Sequence, residues 1–176
     1  MSALTEIGDT ARHSFTVYTK PPEYIILPTI VLWHPRHPRN VGSTLRAAAC
    51  FGVKQVWTVD ARIKLNPRYL KYHHPAKFRN REVPPTQLIM AGEQDILDLH
   101  HAKIAVEILP QAIPLSVFKH PNGAVYIFGP EDGSVPKYVV EECKEIVSIP
   151  SNFCLNLAAT ASIVLYDRTS KLGLNQ

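Results

Sequence analysis

Residues Tyr24 to Gly52 read YIILPTIVLWHPRHPRNVGSTLRAAACFG, and the change of pattern inside this stretch decides the fold. From Tyr24 to Leu32 the chain is apolar and β-branched with little polar alternation, as in a strand covered on both faces. Pro28 interrupts it, because proline has no N–H to give to a regular central ladder. Trp33 to Arg39 follows as a rigid basic loop, and Asn40 closes it as the expected N-cap of a helix. Val41 to Phe51 has the helical period, with Val41, Leu45 and Ala48 on one stripe and Gly52 at the C-terminal end. A doubly covered strand that turns through a short loop into a helix is the repeating unit of an α/β protein.

The rest of the chain repeats that alternation. Lys54 to Val59, Lys103 to Leu109, Gly123 to Phe128 and Glu145 to Ile149 read as strands. Glu93 to His100, Ile113 to Phe118, Pro136 to Cys143 and Leu155 to Arg168 read as helices, two of them opened by a proline in the first turn. Asp60 to Pro85, rich in Lys, Arg, His and Pro, is expected to be irregular surface. Alternating strands and helices predict an α/β fold with a mainly parallel sheet flanked by helices. Residues 1–22 show no sustained period and end in Lys20-Pro21-Pro22, so they are expected to form a flexible arm. The remainder, 23–176, is expected to be a single domain, since 176 residues with 45% apolar content support one core and leave no room for a second.

Composition excludes several classes. Cys50, Cys143 and Cys154 are odd in number and widely spaced, which fits neither a disulfide framework nor a zinc site. The longest apolar run, Tyr24 to Trp33, is about half of the ~20 residues a bilayer requires. Residues 1–20 lack the apolar centre of a secretory signal. A cytoplasmic protein without a membrane partner is expected. The pairs His73-His74 and His100-His101 lack ligand spacing, and no metal is expected. A formal charge of +4 favours an anionic partner such as RNA without defining one.

Three junctions carry the chemistry. The first sets Asn40 and Arg46 six residues apart behind Arg36 and Arg39; a guanidinium offers a rigid fork of donors to phosphate, although a cap and a solvated helix residue explain the pair equally. The second ends a buried strand in Gly129-Pro130-Glu131-Asp132-Gly133. It lacks the glycine spacing and lysine of a phosphate loop, and a tight turn accounts for its glycines, but Glu131 is unusual in a turn. The third, Ile149-Pro150 leading to Leu155-Asn156, delivers an extended loop to a helix of small residues, Ala158 to Ser162, which on its own reads as close core packing.

Taken in order, these segments resemble the three signature motifs of the SpoU (TrmH-type) branch of the SPOUT methyltransferases. The likeness runs from about Tyr24 to Arg168 and ends in Ile163-Val164-Leu165-Tyr166-Asp167, similar to that family's closing Leu-Tyr-Glu. The short chain looks most like the minimal, TrmL-like tRNA wobble-ribose enzymes. The resemblance implies a SPOUT-type fold with a C-terminal trefoil knot, about 105–170, that holds S-adenosylmethionine. It also implies a homodimer whose active site draws on both subunits, and RNA, with tRNA foremost, as the substrate for 2′-O-ribose methylation.

Residue by residue, the resemblance puts Ile108, Leu109 and Pro110 at the first cofactor loop, Gly129, Pro130 and Glu131 at the second, and Ile149, Pro150 and Leu155 at the third. Arg46 and Asn40 match the family's active-site pair, Glu131 its acid and Asn156 its third-motif asparagine. Arg36, Arg39 and Arg46 are then expected to grip RNA phosphates, which makes binding salt-sensitive. Three positions depart from the pattern: Cys154 stands where the family has serine, Gly133 follows Glu131 by two residues where the family has three, and Ser151 replaces a methionine. Two rivals remain at this stage, a catalytically silent RNA-binding module on the same fold and an unrelated nucleotide-binding α/β protein.

Overall fold

The computed structural model describes residues 15–63, 70, 77–78, 81–82 and 86–174. Its centre is an eight-stranded, wholly parallel sheet built from β1 (Phe15–Tyr18), β2 (Thr29–Trp33), β3 (Gln55–Val59), β6 (Thr86–Ala91), β7 (Lys103–Val106), β8 (Ile113–Pro114), β9 (Val125–Phe128) and β10 (Glu145–Ser148). The order across the sheet is β1-β6-β3-β2-β9-β7-β10-β8. Strands from the first half of the chain therefore fill one side and strands from the second half the other. They meet where β2 pairs with β9, and a crevice at the carboxyl ends of such a sheet opens at that reversal.

The uninterrupted apolar runs follow from burial on both faces. Every residue of β2, β3, β7 and β9 is buried, and successive side chains serve opposite layers. Ile30 and Leu32 face a core shared with Val41, Leu45 and Ala48 of α1 (Pro38–Cys50) and Val164 of α4 (Leu157–Lys171). Val31 and Trp33 face the other, with Ile96 of α2 (Glu93–Leu97) and Val139 of α3 (Lys137–Glu141). The C-terminal half of α4 is tied down by polar contacts: His120 bridges Tyr126 and Asp167 at 2.8 Å each, and buried Arg168 donates to Asn122 O at 2.6 Å. Burial pushes the Tyr126 hydroxyl up to about 12, and it lowers His120 against the pull of Asp167.

Several boundaries differ from the sequence pattern for physical reasons. β2 begins at Thr29, after the cis Leu27–Pro28 bond, and not at Tyr24. Helix α1 starts three residues early, with His37 at the cap and Pro38 in the first turn, so Asn40 lies inside the helix and its amide is released from capping. Ile113 to Phe118 is not a helix but strand β8 followed by a 3₁₀ turn, Leu115–Val117. Part of the arm expected at 1–22 is ordered: Phe15–Tyr18 pairs with β6 as the sheet's edge strand, while residues 1–14 lie outside the described residues. Within Asp60 to Pro85, β4 (Lys77–Phe78) and β5 (Arg81–Glu82) pair antiparallel; most other residues from 64 to 85, His73-His74 included, also lie outside.

Strand β6 carries only a weak sequence signal, since its apolar run, Leu88 to Ala91, is short and follows the polar Thr86 and Gln87. It is an interior strand nonetheless, between β1 and β3. Gln87 Oε1 accepts from Gln55 Nε2 at 2.8 Å, and Gln55 Oε1 accepts from Ile26 N at 3.0 Å, so the buried amides satisfy one another. Leu88 and Ile89 supply one side chain to each core. Among the described residues no helix is long and apolar enough to cross a membrane.

Leu88→Ala is expected to cost about 2–5 kcal/mol, the range for a fully buried leucine, whereas Val117→Ala, 67% exposed, should stay within about 0.5 kcal/mol. Urea titrations of both variants read this as a fall in midpoint for the first alone.

Candidate active site

A cavity of about 340 Å³ opens at the carboxyl ends of β7, β9 and β10. The loops that leave these three strands form its walls. Val106 to Ile108, Phe128 to Gly133, and Ile149, Ser151, Cys154, Leu155 and Leu157 contribute an apolar interior with polar edges. Of the positions expected to hold a cofactor, Ile108, Gly129, Pro130, Glu131, Ile149 and Leu155 line the cavity. Leu109, Pro110 and Pro150 do not: β7 ends at Val106, so the chain has left the cavity by Leu109, and Pro150 is exposed at the rim. Cys154, Ser151 and Gly133, the three departures from the family pattern, all line it.

Two loops are stitched together by Glu107. Its Oε1 accepts from Ile108 N at 3.0 Å and its Oε2 from Val135 N at 2.9 Å, joining the loop after β7 to the loop after β9. Gly129 sits between them with no space for a side chain, since a Cβ there would stand 2.9 Å from Val135 N and 3.2 Å from Glu107 Oε2. Close backbone approach, not conformational freedom, is what requires this glycine. Glu107 was not expected from sequence; its signal is a lone acid directly after a buried apolar strand.

The three junctions meet in one chain of hydrogen bonds beside the cavity. Glu131 Oε1 accepts from Asn40 Nδ2 at 2.7 Å and from His37 N at 3.1 Å, and Oε2 accepts from Arg36 N at 2.8 Å. Asn40 Oδ1 then accepts from Asn156 Nδ2 at 2.9 Å. Asn156 completes the chain by capping α4, its Oδ1 accepting from Ala158 N at 2.9 Å and Ala159 N at 3.3 Å. Partial burial alone would raise the Glu131 carboxyl, but the donors from Asn40, Arg36 and His37 overcome it and hold the group below the usual glutamate range. Glu131 is therefore a carboxylate committed to ordering the β2–α1 loop.

The arginines are distributed differently. Arg36 Nη1 donates to Asp132 Oδ2 at 3.1 Å, and Asp132 also takes Arg62 through both of its terminal nitrogens, at 3.2 Å for Nη1. Arg62 Nε in turn donates to His34 O at 3.1 Å. The Arg62 bond holds Asp132 below its ordinary value. Arg39 and Arg46 are exposed on α1. Six residues past Asn40, Arg46 is about 9 Å further along the helix and about 240° around it, so the two leave on different faces. Arg46 is not among the residues that line this cavity.

Comparison with known proteins fits this geometry. Residues 28–166 match the model of the SpoU rRNA Methylase family. The chain is 25% identical over 165 residues to the tRNA (cytidine-2′-O-)-methyltransferase TrmJ of Methanocaldococcus jannaschii, covering 86% of this chain and 71% of that one. A solved structure concerned with 2-OH methylation of C/U34 on tRNA superposes with a TM-score of 0.68 at 21% identity, over 84% of this chain and 97% of the other. The AdoMet-bound rRNA methyltransferase of Sinorhizobium meliloti superposes at 0.67 with 19% identity; 82% of this chain is covered, and the match spans only 56% of that one. These superpositions establish a shared fold, and the family match removes the reading of an unrelated nucleotide-binding protein.

Two substitutions test the geometry without reference to activity. Gly129→Ala should lower the thermal midpoint by several degrees, because Val135 N is backbone and cannot yield without parting from Glu107. Glu131 has its folded pKa depressed, so its contribution is complete above the pKa of a free glutamate and is lost as the pH falls through the depressed value. Urea midpoints measured from neutral to acid pH should decline for the native protein, and Glu131→Gln should remove that part of the slope.

Proposed function

The chain belongs to the SpoU rRNA Methylase family, and on that footing we propose that it transfers a methyl group from S-adenosylmethionine to a ribose 2′-hydroxyl of RNA, with tRNA as the substrate. The observation that carries the proposal is the chain Glu131–Asn40–Asn156, which gathers all three junctions at one edge of the cavity. A cavity of about 340 Å³ with an apolar interior and a carboxylate edge suits a nucleoside-sized ligand, within the range of small-molecule sites. When bound, S-adenosylmethionine supplies an electrophilic methyl on a sulfonium, so the new bond is ribose oxygen to methyl and the old one is methyl to sulfur.

The protein's own tasks are then alignment and proton removal. Gly129, Pro130, Ile149 and Leu155 shape the cofactor bed together with Ile108. Asn40, oriented from one side by Glu131 and from the other by Asn156, presents a fixed amide at the entrance. Arg36, Arg39 and Arg46 meet RNA phosphates, and Arg46 also donates to the 2′-oxygen, stabilising the negative charge that develops there as the hydroxyl proton passes to solvent. Because Arg46 leaves α1 away from Asn40, the proposal includes a homodimer in which Arg46 of one protomer serves the cavity of its partner. Exposed Ile163 and Tyr166 on one face of α4, with Phe153 and Leu155 in the preceding loop, provide apolar surface for that contact. The C-terminal knot belongs to the same proposal, as does a single domain, expected from 23 to 176 and extended by the strand Phe15–Tyr18.

Arg46→Ala is expected to cut methyl incorporation into tRNA by about 10²-fold or more while calorimetric binding of S-adenosylmethionine stays within a few-fold. Near-normal turnover would exclude the assigned role. Mixing the inactive Arg46→Ala and Asn40→Ala proteins after subunit exchange should restore about a quarter of native activity, since half of the dimers then carry one intact site. No recovery would place Arg46 at its own chain's cavity.

A further inference from the structure

We propose that His34, Asp60 and Glu93 form a binding site for a divalent cation of the zinc class, separate from the methyl-transfer cavity. His34 directly follows β2, Asp60 directly follows β3, and Glu93 opens α2 just after β6, three strands that are neighbours in the sheet. Their nearest donor atoms, one imidazole nitrogen and two carboxylate oxygens, all lie within 4.8 Å of one another. Nε2 of His34 is 3.2 Å from Glu93 Oε1 and 3.9 Å from Asp60 Oδ2. Two ligands of one tetrahedral zinc, each about 2.1 Å from the ion, stand about 3.4 Å apart, so little movement would bring these atoms onto a shared ion.

The surroundings of His34 Nε2 point to a ligand. The His34 side chain is 32% exposed, but this nitrogen is closed off from solvent, makes no hydrogen bond and faces two carboxylates, Glu93 and Asp60. Two acids converging on one imidazole nitrogen supply the donor set of a cation site. The backbone around it is set independently of the side chains: His34 N donates to Val59 O at 2.9 Å and Asp60 N to Ala91 O at 3.1 Å, extending the parallel ladder by one rung. Both residues adopt left-handed conformations, φ +45° for His34 and +40° for Asp60, which are uncommon for residues other than glycine.

Supporting contacts hold the donors in place. The His34 ring stacks on Trp33 with centroids 5.5 Å apart. The second carboxylate oxygen of Glu93 accepts from the Tyr138 hydroxyl, leaving the first directed at His34, an outer-shell arrangement typical of metal ligands. Imidazole with carboxylates suits zinc or its first-row neighbours better than calcium, and three protein ligands leave one position for water. The site also touches the rest of the machinery. Arg62 Nε holds the His34 carbonyl, and Arg36, two residues on, gives its N–H to Glu131, so an ion at His34 would fix the start of the loop that carries Asn40.

The test is a calorimetric titration of zinc chloride into metal-free, full-length protein, with thermal midpoints read alongside. The expected result is one ion per chain and a raised midpoint, with affinity reduced at least about 10-fold by His34→Ala or Glu93→Gln and about 10-fold by Tyr138→Phe, which leaves all three ligands in place. A His100→Ala/His101→Ala double variant should bind as the native chain does. Absence of zinc uptake, or equal uptake by the native protein and the Glu93→Gln and Tyr138→Phe variants, would overturn the proposal. Tyr138→Phe decides the matter if His34→Ala fails to fold.

Discussion

A partly buried carboxylate that must be satisfied organises this molecule's functional end. Glu131 sits at the reversal point of the sheet, where the loop after β9 faces the loop after β2. Taking an ionised carboxyl out of water costs several kcal/mol unless donors replace the solvent. Here they come from two backbone amides, Arg36 and His37, and from the Asn40 side chain. Because those groups lie on the segment that enters α1, satisfying Glu131 fixes the direction of that helix. Asn156 passes the constraint on by bonding Asn40 with one end of its amide and capping α4 with the other. Helices α1 and α4 pack together, so a single charge sets the relation of both to the cavity.

That arrangement explains why the glycine and the acids near the cavity are not interchangeable. Gly129 brings the β9 loop against the Val135 amide, and Glu107 receives that amide and the one at Ile108. The loop after β9 is thus held by Glu107 of the loop after β7 and in turn holds the β2–α1 loop through Glu131. A cavity built from loops tied by charge-assisted bonds keeps its shape while empty, which lowers the ordering cost of any ligand that enters.

Sequence legibility followed the same physics. Strands β2, β3, β7 and β9 were readable because burial on both faces demands continuous apolar residues. β6 was not, because Gln87 is paid for by a partner, Gln55, that is 32 residues away in the chain and invisible to a local pattern. Asn40 was recognised as important for an incomplete reason. Its residue type signals a cap, yet Pro38 starts the helix earlier and frees the amide for Glu131 and Asn156, while the true cap, His37, uses no side-chain bond. Ile108, Gly129, Pro130, Ile149 and Leu155 were placed at the cavity by resemblance, and Leu109, Pro110 and Pro150 fell outside it because resemblance fixes a loop more firmly than the residue at which that loop turns away. Glu107 and Arg62 act on backbone groups brought close only by folding, and neither has a spacing that could announce it.

Charge shows the limit of composition most clearly. The formal +4 suggests a surface rich in unengaged cations, but Arg36 and Arg62 converge on Asp132 at the edge of the cavity. The pairs are exposed, and exposed ion pairs are held weakly, so a phosphate can take over these guanidinium groups at little cost. Asp132 thereby keeps two arginine side chains extended and close together while no polyanion is present. Preorganised cations bind a phosphate with less lost side-chain entropy than the same arginines would if each moved alone, and the gain depends on their separation, not on net charge. Formal charge therefore overstates the cationic surface, since one acid engages two of its arginines.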